Sequence, residues 1–333
     1  MFHLKYIAAC ICIFCSLGSS GAFSIELTFP LKCSLGHNCH IQYYVDHDPG
    51  SAVQDYQCGG MSTPNQQGTS IRLADTNEMI KGFEVLAAAP GNVISIQNNI
   101  PDQVLTDQVK QNLQGQECGN NVVLDHGNGW QTQYCHMMRS SVIVVPGESV
   151  ESGQPLGLLG LSGFTTYPHL EFILKKDNQF IDPFHSSTGG SQCGENLHSL
   201  WIDPEAIPYP DSQVISSSFS ETLPQLKQVV LGSHHPAFLT HTIKRLAFWV
   251  QIIGAKKGDI HSIIIYNQRG QIIAQSVNNV LSANQPVGIF SIVHEIGSSV
   301  FAPGLYKGSF VVERDINGQK TVIEQHNNQI VLQ

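Results

Sequence analysis

Val122-Val123-Leu124-Asp125-His126-Gly127-Asn128-Gly129, followed by Gln131-Thr132-Gln133-Tyr134-Cys135-His136, is the stretch that decides the fold. Apolar β-formers run into a cluster of Asp, His, Gly and Asn, and alternation resumes beyond it, the pattern of an antiparallel hairpin. His136 is therefore expected on a strand. Further along, Leu170-Glu171-Phe172-Ile173-Leu174 also alternates, and a period of two puts His169, Glu171 and Ile173 on one face. Position 171 is thus expected to look the same way as His169.

From Leu226 onward the chain reads as short apolar strands and turns. Leu246 to Ile253, Ile263 to Tyr266, a turn at Asn267-Gln268-Arg269-Gly270 and Gln271 to Gln275 follow in order. Leu305 to Glu313, the turn Asp315-Ile316-Asn317-Gly318 and Lys320 to Gln325 make a further hairpin. About seven strands in roughly 110 residues suggest an immunoglobulin-like sandwich. Ser186-Ser187-Thr188-Gly189-Gly190-Ser191 and the Pro- and Ser-rich run from Pro204 to Ser218 read as a break between two domains. A mature length of about 310 residues suits that division.

The first residues point outside the cytoplasm. Lys5, an apolar run from Tyr6 to Leu17 and the small residues Ser20-Gly21-Ala22 read as a secretory signal peptide, too short to span a membrane. Ile7-Ala8-Ala9-Cys10 fits a lipid-attachment box superficially, but few apolar residues precede it. No other long apolar stretch predicts a transmembrane helix. Of nine cysteines, Cys10, Cys12 and Cys15 fall in the leader, leaving Cys33, Cys39, Cys58, Cys118, Cys135 and Cys193. Six thiols in an exported chain read as up to three disulfides, with fifteen pairings open. The hairpin brings Cys118 near Cys135, and the short loop from Cys33 to Cys39 can close on itself, which would leave Cys58 with Cys193. A net charge of −9 with only 17 Lys and Arg argues against nucleic acid or an anionic membrane as partner.

Three segments carry a specific chemistry: Gln66-Gln67-Gly68-Thr69-Ser70, Tyr134-Cys135-His136-Met137 and Pro168-His169-Leu170-Glu171-Phe172. Together they resemble the active site of the lysostaphin/LytM-type zinc peptidases, which cut peptidoglycan cross-bridges. The resemblance runs from about Cys58 to Phe184 and takes in Val85 to Val93, Asn121 to Trp130, Val150 to Gly157 and Gly160-Leu161-Ser162-Gly163. It implies a LytM-type antiparallel β-sheet domain, which together with the immunoglobulin-like β-sandwich read from the strands beyond Leu226 makes a mostly β protein. The boundaries expected are a signal peptide over 1–22, a disulfide-bonded segment over 23–60, the peptidase-like domain over 61–186, a linker over 187–219 and the sandwich over 220–333.

The family pattern is His-x-Gly-x-Asp, a lone His, and His-x-His. Carried over, the zinc-binding His falls on Gln66, the zinc-binding Asp on Ser70 and the last zinc-binding His on Glu171, while the non-ligand histidines survive as His136 and His169. A hydrolytic zinc site needs three good protein donors and an open position for water. An amide, a hydroxyl and one carboxylate make a poor set, so no zinc and no other cofactor is expected. Without metal, the two histidines supply general acid-base help of about 10²–10⁴-fold, far short of what amide hydrolysis requires.

The resemblance therefore implies an exported, zinc-free pseudopeptidase, periplasmic or secreted. Its partner would be a peptidoglycan peptide or a cell-wall hydrolase that it regulates, as some degenerate members of the family regulate amidases. His136, His169, Arg72 and Glu171 are the candidate binding residues. The alternative is an active zinc metalloendopeptidase that cleaves cross-bridges with a rearranged site, using Glu171 and a displaced histidine. His37, His40, His47 and His126 are the candidates for that rescue. Asp46-His47-Asp48-Pro49-Gly50 also reads as a polar turn, and His126 as a hairpin-corner residue bonded to backbone. In the second domain, His234-His235 with His241 could hold a metal or form a plain loop, and Trp249 reads as core.

Overall fold

The computed structural model describes residues 24–186, 193–194, 198–233 and 235–333. The expected leader over 1–22, the Ser- and Gly-rich run from Ser187 to Ser191, and His234 lie outside the described residues.

The first module is built from strands β1 (His40–Tyr43), β2 (Thr69–Arg72), β3 (Glu84–Leu86), β4 (Gly91–Gln97), β5 (Asn120–Gly127), β6 (Trp130–Met137), β7 (Ser149–Val150), β8 (Pro155–Leu158), β9 (His169–Lys176) and β10 (Gln179–Ile181). Two short helices, α1 (Thr76–Met79) and α2 (Asp107–Asn112), sit between them. Eight strands form one sheet, in the order β1-β2-β9-β6-β5-β4-β7 with β10 paired to β9, while β3 pairs with β8 apart from it. The pairings within both sheets are antiparallel.

The expected hairpin is β5–β6. Its turn is tighter than the Asp125–Gly129 cluster suggests, because β5 continues to Gly127, which pairs with Trp130. Asn128 and Gly129 make the corner with φ of 52° and 80°, the positive pair that a two-residue type I′ turn requires. Alternation along β9 sends Leu170, Phe172 and Leu174 into the core. There Phe172 meets Tyr134 at 5.5 Å and Trp201 at 5.6 Å between ring centroids.

The second module contains β11 (Gln213–Ser220), β12 (Arg245–Ala255), β13 (Ile260–Tyr266), β14 (Ile272–Val280), β15 (Gln285–Glu295), β16 (Gly304–Ile316) and β17 (Gln319–Leu332), with a short helix α3 (Leu226–Val230). Its sheets run β11-β12-β15 and β14-β13-β16-β17. One core joins them: Phe219, Leu246, Phe248, Val250 and Ile252 from the first pack with Ile263, Ile265, Phe310, Val312 and Ile330 from the second. These seven strands are a β-sandwich. The hairpin expected near Asn317-Gly318 is β16–β17, with Ile316 paired to Gln319.

The stretch expected as a linker over 187–219 is not one in its described part. Leu200, Trp201 and Ile207 are buried in the core of the first module, and Gln213–Ser220 is strand β11 of the sandwich. Pro and Ser misled because the serines of β11 alternate between the two sheet faces and find partners there, Ser217 at His326 Nε2, 2.8 Å away, and Ser220 at Thr222 O, 2.6 Å away. The segment from residue 24 to 60 is likewise integral, contributing Ile25, Leu27, Leu31, Ile41, Tyr44 and Tyr56 to that same core.

The two modules are closely joined. Ile253 of β12 is buried within the first module's core, with Val287 of β15 packed against it. The Tyr209 hydroxyl donates to Asp55 at 2.7 Å, His40 Nδ1 donates to Gln213 at 3.0 Å, and His235 lies 3.3 Å from Asp75. Burial holds His40 down at about 4, against the hydrogen bond to Gln213. Trp249, read as core, is fully buried. All three disulfides close: Cys33–Cys39, Cys58–Cys193 and Cys118–Cys135.

Candidate functional site

Strands β2, β6 and β9 lie side by side, and above them opens a groove of about 560 Å³. Strand β9 contributes His169, Glu171, Ile173 and Lys175 to its floor, and β2 contributes Ser70. The period of two predicted this face correctly. Gln133 and Cys135 come from β6 by the same alternation, while Tyr134 and Met137 point into the core.

His136 breaks the alternation. It follows Cys135 directly, yet it too lines the groove. The reason is a β-bulge: Val122 pairs with Tyr134 and Asn120 with Met137, so β6 carries one residue more than β5 between those pairs. His136 is that region's left-handed residue, with φ of 63°. Bulges of this kind re-aim side chains, and a non-glycine residue in this region costs on the order of 1–2 kcal/mol. Its backbone is nonetheless satisfied, N–H donating to Cys118 O at 2.8 Å and C=O accepting from Gly160 N–H at 3.0 Å. The Cys118–Cys135 disulfide pins the adjacent residue.

Both imidazoles are fixed at Nδ1. His136 Nδ1 lies 2.7 Å from Ser162 O, a carbonyl that can only accept, so Nδ1 carries the proton. Ser162 is itself held, its hydroxyl donating to Met137 O at 2.7 Å and accepting from Asn120 N–H at 2.9 Å. His169 Nδ1 sits 3.0 Å from Tyr167 O and 3.0 Å from Thr165 Oγ1. The Thr165 hydroxyl donates to that same carbonyl at 2.7 Å, so His169 Nδ1 is again the donor. The two rings are 4.5 Å apart, centroid to centroid. Burial pushes His136 down to about 3, with His169 beside it adding to the effect and the Ser162 carbonyl opposing it. His136 is neutral across the physiological range.

The three family ligand positions form a closed polar knot. Gln66 Nε2 donates to Glu171 Oε1 at 2.7 Å and to Ser70 Oγ at 3.2 Å. The Ser70 hydroxyl donates to Glu171 Oε2. Gly68 makes the arrangement possible: a Cβ there would stand 2.6 Å from Glu171 Oε1 and 2.6 Å from Phe172 O, so any other residue would displace the carboxylate.

This donor set does not fit the zinc cage the family pattern implies. Gln66 turns its amide nitrogen, not a ligand atom, toward the centre. Ser70 spends its hydroxyl proton on Glu171, and each carboxylate oxygen already accepts from a neighbour. Among the described residues no group of three or more His, Cys, Asp or Glu is placed to hold a metal ion. The displaced histidines do not come to the groove either. His40 is held by Gln213, His47 Nε2 lies 2.7 Å from Asp182 Oδ2, and His126 Nδ1 donates to Pro90 O at 2.7 Å; neither these nor His37 line it. Asp46 is a loop organiser, accepting from the N–H groups of Asp48, Gln54 and Asn65.

Arg72, expected among the binding residues, is buried away from the groove. Its guanidinium donates to Gln42, Leu73 O and Ala74 O and lies 4.8 Å from the Tyr167 ring centroid. Burial lowers it to about 10. Tyr167 stacks on His169 at 4.4 Å, so Arg72 supports the groove wall through Tyr167. Thr165, Tyr167 and Ser162 position the histidines, and sequence reasoning missed them as site residues. Thr165 and Tyr167 gave no signal beyond closeness in sequence to His169, and Ser162 only its place in Gly160-Leu161-Ser162-Gly163, since hydrogen bonds to a ring nitrogen leave no periodic trace.

The peptidase family M23 profile matches residues 66–183. The chain is 45% identical over 56 residues to the peptidoglycan DD-endopeptidase ShyA of Vibrio cholerae, covering 17% of this chain and 13% of that protein. It is 39% identical over 104 residues to ShyC, a peptidoglycan DD-endopeptidase of the same organism, covering 31% and 19%. It is 35% identical over 103 residues to the murein hydrolase activator EnvC of Escherichia coli, covering 31% and 20%. The alignments thus span a fifth or less of each of these relatives. Residues 66–183 are a domain of peptidase family M23, lysostaphin/LytM type, in a degenerate form whose zinc-ligand positions carry Gln66, Ser70 and Glu171.

Proposed function

We propose that this chain is an exported, zinc-free pseudopeptidase whose groove binds a peptide of peptidoglycan without cutting it. The observation that carries the reading is the knot of Gln66, Ser70 and Glu171, which satisfies these side chains with one another where the family places its metal. The groove around it is open, walled by Tyr43, Phe164, Tyr167 and Phe180. Such walls suit an extended peptide. Similarity to two peptidoglycan DD-endopeptidases supports a cell-wall ligand, and three disulfides support a periplasmic or extracellular setting. No helix of the described residues is long and apolar enough to cross a membrane.

The test is to titrate the disulfide-intact chain with soluble muropeptides by calorimetry, and to follow the same mixtures by chromatography with and without added zinc. Saturable binding with no new product in either condition is expected. Zinc-dependent, chelator-sensitive release of cleaved muropeptides would overturn the reading, and so would the absence of any binding. Similarity to a murein hydrolase activator favours a second reading, in which the groove receives a segment of a cell-wall hydrolase. A rise in such a hydrolase's rate on adding the chain, lost when Tyr43 and Phe180 are replaced by Ala, is its signature.

A further inference from the structure

The groove floor presents acceptors and no matching donor. His136 and His169 both spend Nδ1–H on carbonyls behind them, so in each neutral ring the remaining nitrogen, Nε2, is a lone-pair acceptor. Among the described residues, neither Nε2 has a hydrogen-bond partner. His169 Nε2 stands 3.7 Å from Glu171 Oε2, beyond hydrogen-bonding reach. Glu171 accepts from Gln66 and Ser70, but both donors are neutral. Among the described residues no Lys or Arg forms an ion pair with it. Lys175, on the same face, instead holds its ammonium 5.0 Å from the Phe180 ring centroid. A half-buried carboxylate whose donors are neutral, with His169 Nε2 3.7 Å away and the His136 ring 4.5 Å from that of His169 between centroids, is an incomplete arrangement.

We infer that the centre of the groove is a binding site for a primary ammonium group of the ligand, with His136 Nε2, His169 Nε2 and Glu171 as its three acceptors. A primary ammonium has three N–H donors and no acceptor, the complement of what the floor offers. Donor chemistry separates this ligand from a metal ion, because Gln66 and Ser70 spend their hydrogens on Glu171 instead of offering ligand atoms. A zinc ion draws its ligands to about 2.0–2.2 Å, whereas an ammonium keeps its acceptors at about 2.7–3.2 Å. These groups belong to no set of three among the described residues that could hold a metal ion, yet as acceptors they can receive the donors of an N–H₃⁺ head. The inference rests on the groove being a peptide site and names the chemical feature of the peptide it selects: a free amine, either an α-amino terminus or a lysine-type side chain. A groove of this kind would prefer peptides in which that amine has not been acylated.

The experiment uses the full, disulfide-intact chain and the tetrapeptide Ala-Glu-Lys-Ala in four forms: both amines free, the α-amine acetylated, the side-chain amine acetylated, and both acetylated. Capping the amine that enters the site should weaken binding about ten- to hundredfold, the range of a charge-assisted contact. The singly capped form that suffers identifies the source. Equal binding of all four forms overturns the inference and leaves the peptide reading intact. Failure of every form, with muropeptides also failing, removes both. Glu171→Gln keeps an acceptor but removes the charge, and should abolish discrimination between free and capped peptides; retained discrimination overturns the assignment. His169→Gln, read in the same way, covers the case in which the first variant fails to fold. Titration with zinc chloride alone is the last arm. Stoichiometric uptake that disappears in His136→Ala would overturn the inference in favour of a metal.

Discussion

Strands β6 and β9 lie next to each other, each gives a histidine to the groove, and they do so by opposite means. Strand β9 is regular, and His169 arrives there with Glu171, Ile173 and Lys175 because side chains alternate. Strand β6 is bulged, and His136 arrives only because one extra residue and a left-handed backbone turn it out of phase. A groove floor can thus be half pattern and half exception. Both rings are held at Nδ1 by carbonyl oxygens, but the exception also has a covalent tether beside it, the Cys118–Cys135 bridge.

The sharpest way to break this contrast is to remove the bridge. Replacing Cys118 and Cys135 together by Ala opens a loop with a sequence separation of 17 and should lower stability by about 3 kcal/mol on the chain-entropy account. Urea denaturation measures it, and the same variant should lose peptide affinity because the bulge is no longer pinned. An unchanged midpoint would mean that the bulge holds itself.

Next in size is Glu171→Leu on the regular strand. It removes the Ser70 hydroxyl's acceptor and the shortest of the Gln66 amide's hydrogen bonds, at about 1–3 kcal/mol. If the denaturation midpoint does not move, the knot contributes nothing to the fold. Valine provides the direct comparison. At 169 it suits an extended strand, whereas at 136 it must adopt positive φ, so His136→Val should be the less stable of the two by about 1–2 kcal/mol. Equal stabilities would show that β6 relaxes out of its bulge.

The last contrast is in pH dependence. His136 and His40 are held at about 3 and about 4 in the folded chain, against about 6.5 when unfolded. Between those values the unfolded chain binds more protons. The contribution of each group is therefore full above pH 6.5 and is lost as pH falls toward its folded value, by up to about 1.4 kcal/mol per pH unit. His47 works in the other direction. Its hydrogen bond to Asp182 raises it against burial, so its contribution is full below 6.5 and fades as pH rises through the folded value. Denaturation midpoints measured from pH 7 down to 5 should fall, and His136→Gln should flatten the slope. A slope unchanged by that variant would mean His136 is not held neutral by the fold.

Much of this was legible in the chain. The β5–β6 hairpin, the inward face of β9 and the strands of the sandwich follow from periodicities of two and from Asn-Gly corners, which are local properties. The bulge at His136 was not legible, since an inserted residue becomes visible only when the partner strand is counted. Nor was the burial of Arg72: an arginine at the end of the short strand Thr69–Arg72 gives no sign that Gln42, two backbone carbonyls and an aromatic ring will enclose it. The Ser-rich approach to the second module read as a linker because composition reports solubility, whereas Gln213–Ser220 is placed by the strand it meets.

The Cys58–Cys193 bridge joins residues separated by 135 positions, and residues 66–183 lie entirely between them. The domain is therefore a closed covalent ring. A protease that nicks it once releases no fragment, and a cut between residues 118 and 135 is spanned a second time by the inner bridge. In a setting rich in peptidases and poor in reductants, a nicked copy would keep its mass on a non-reducing gel and fall apart only when the thiols are restored.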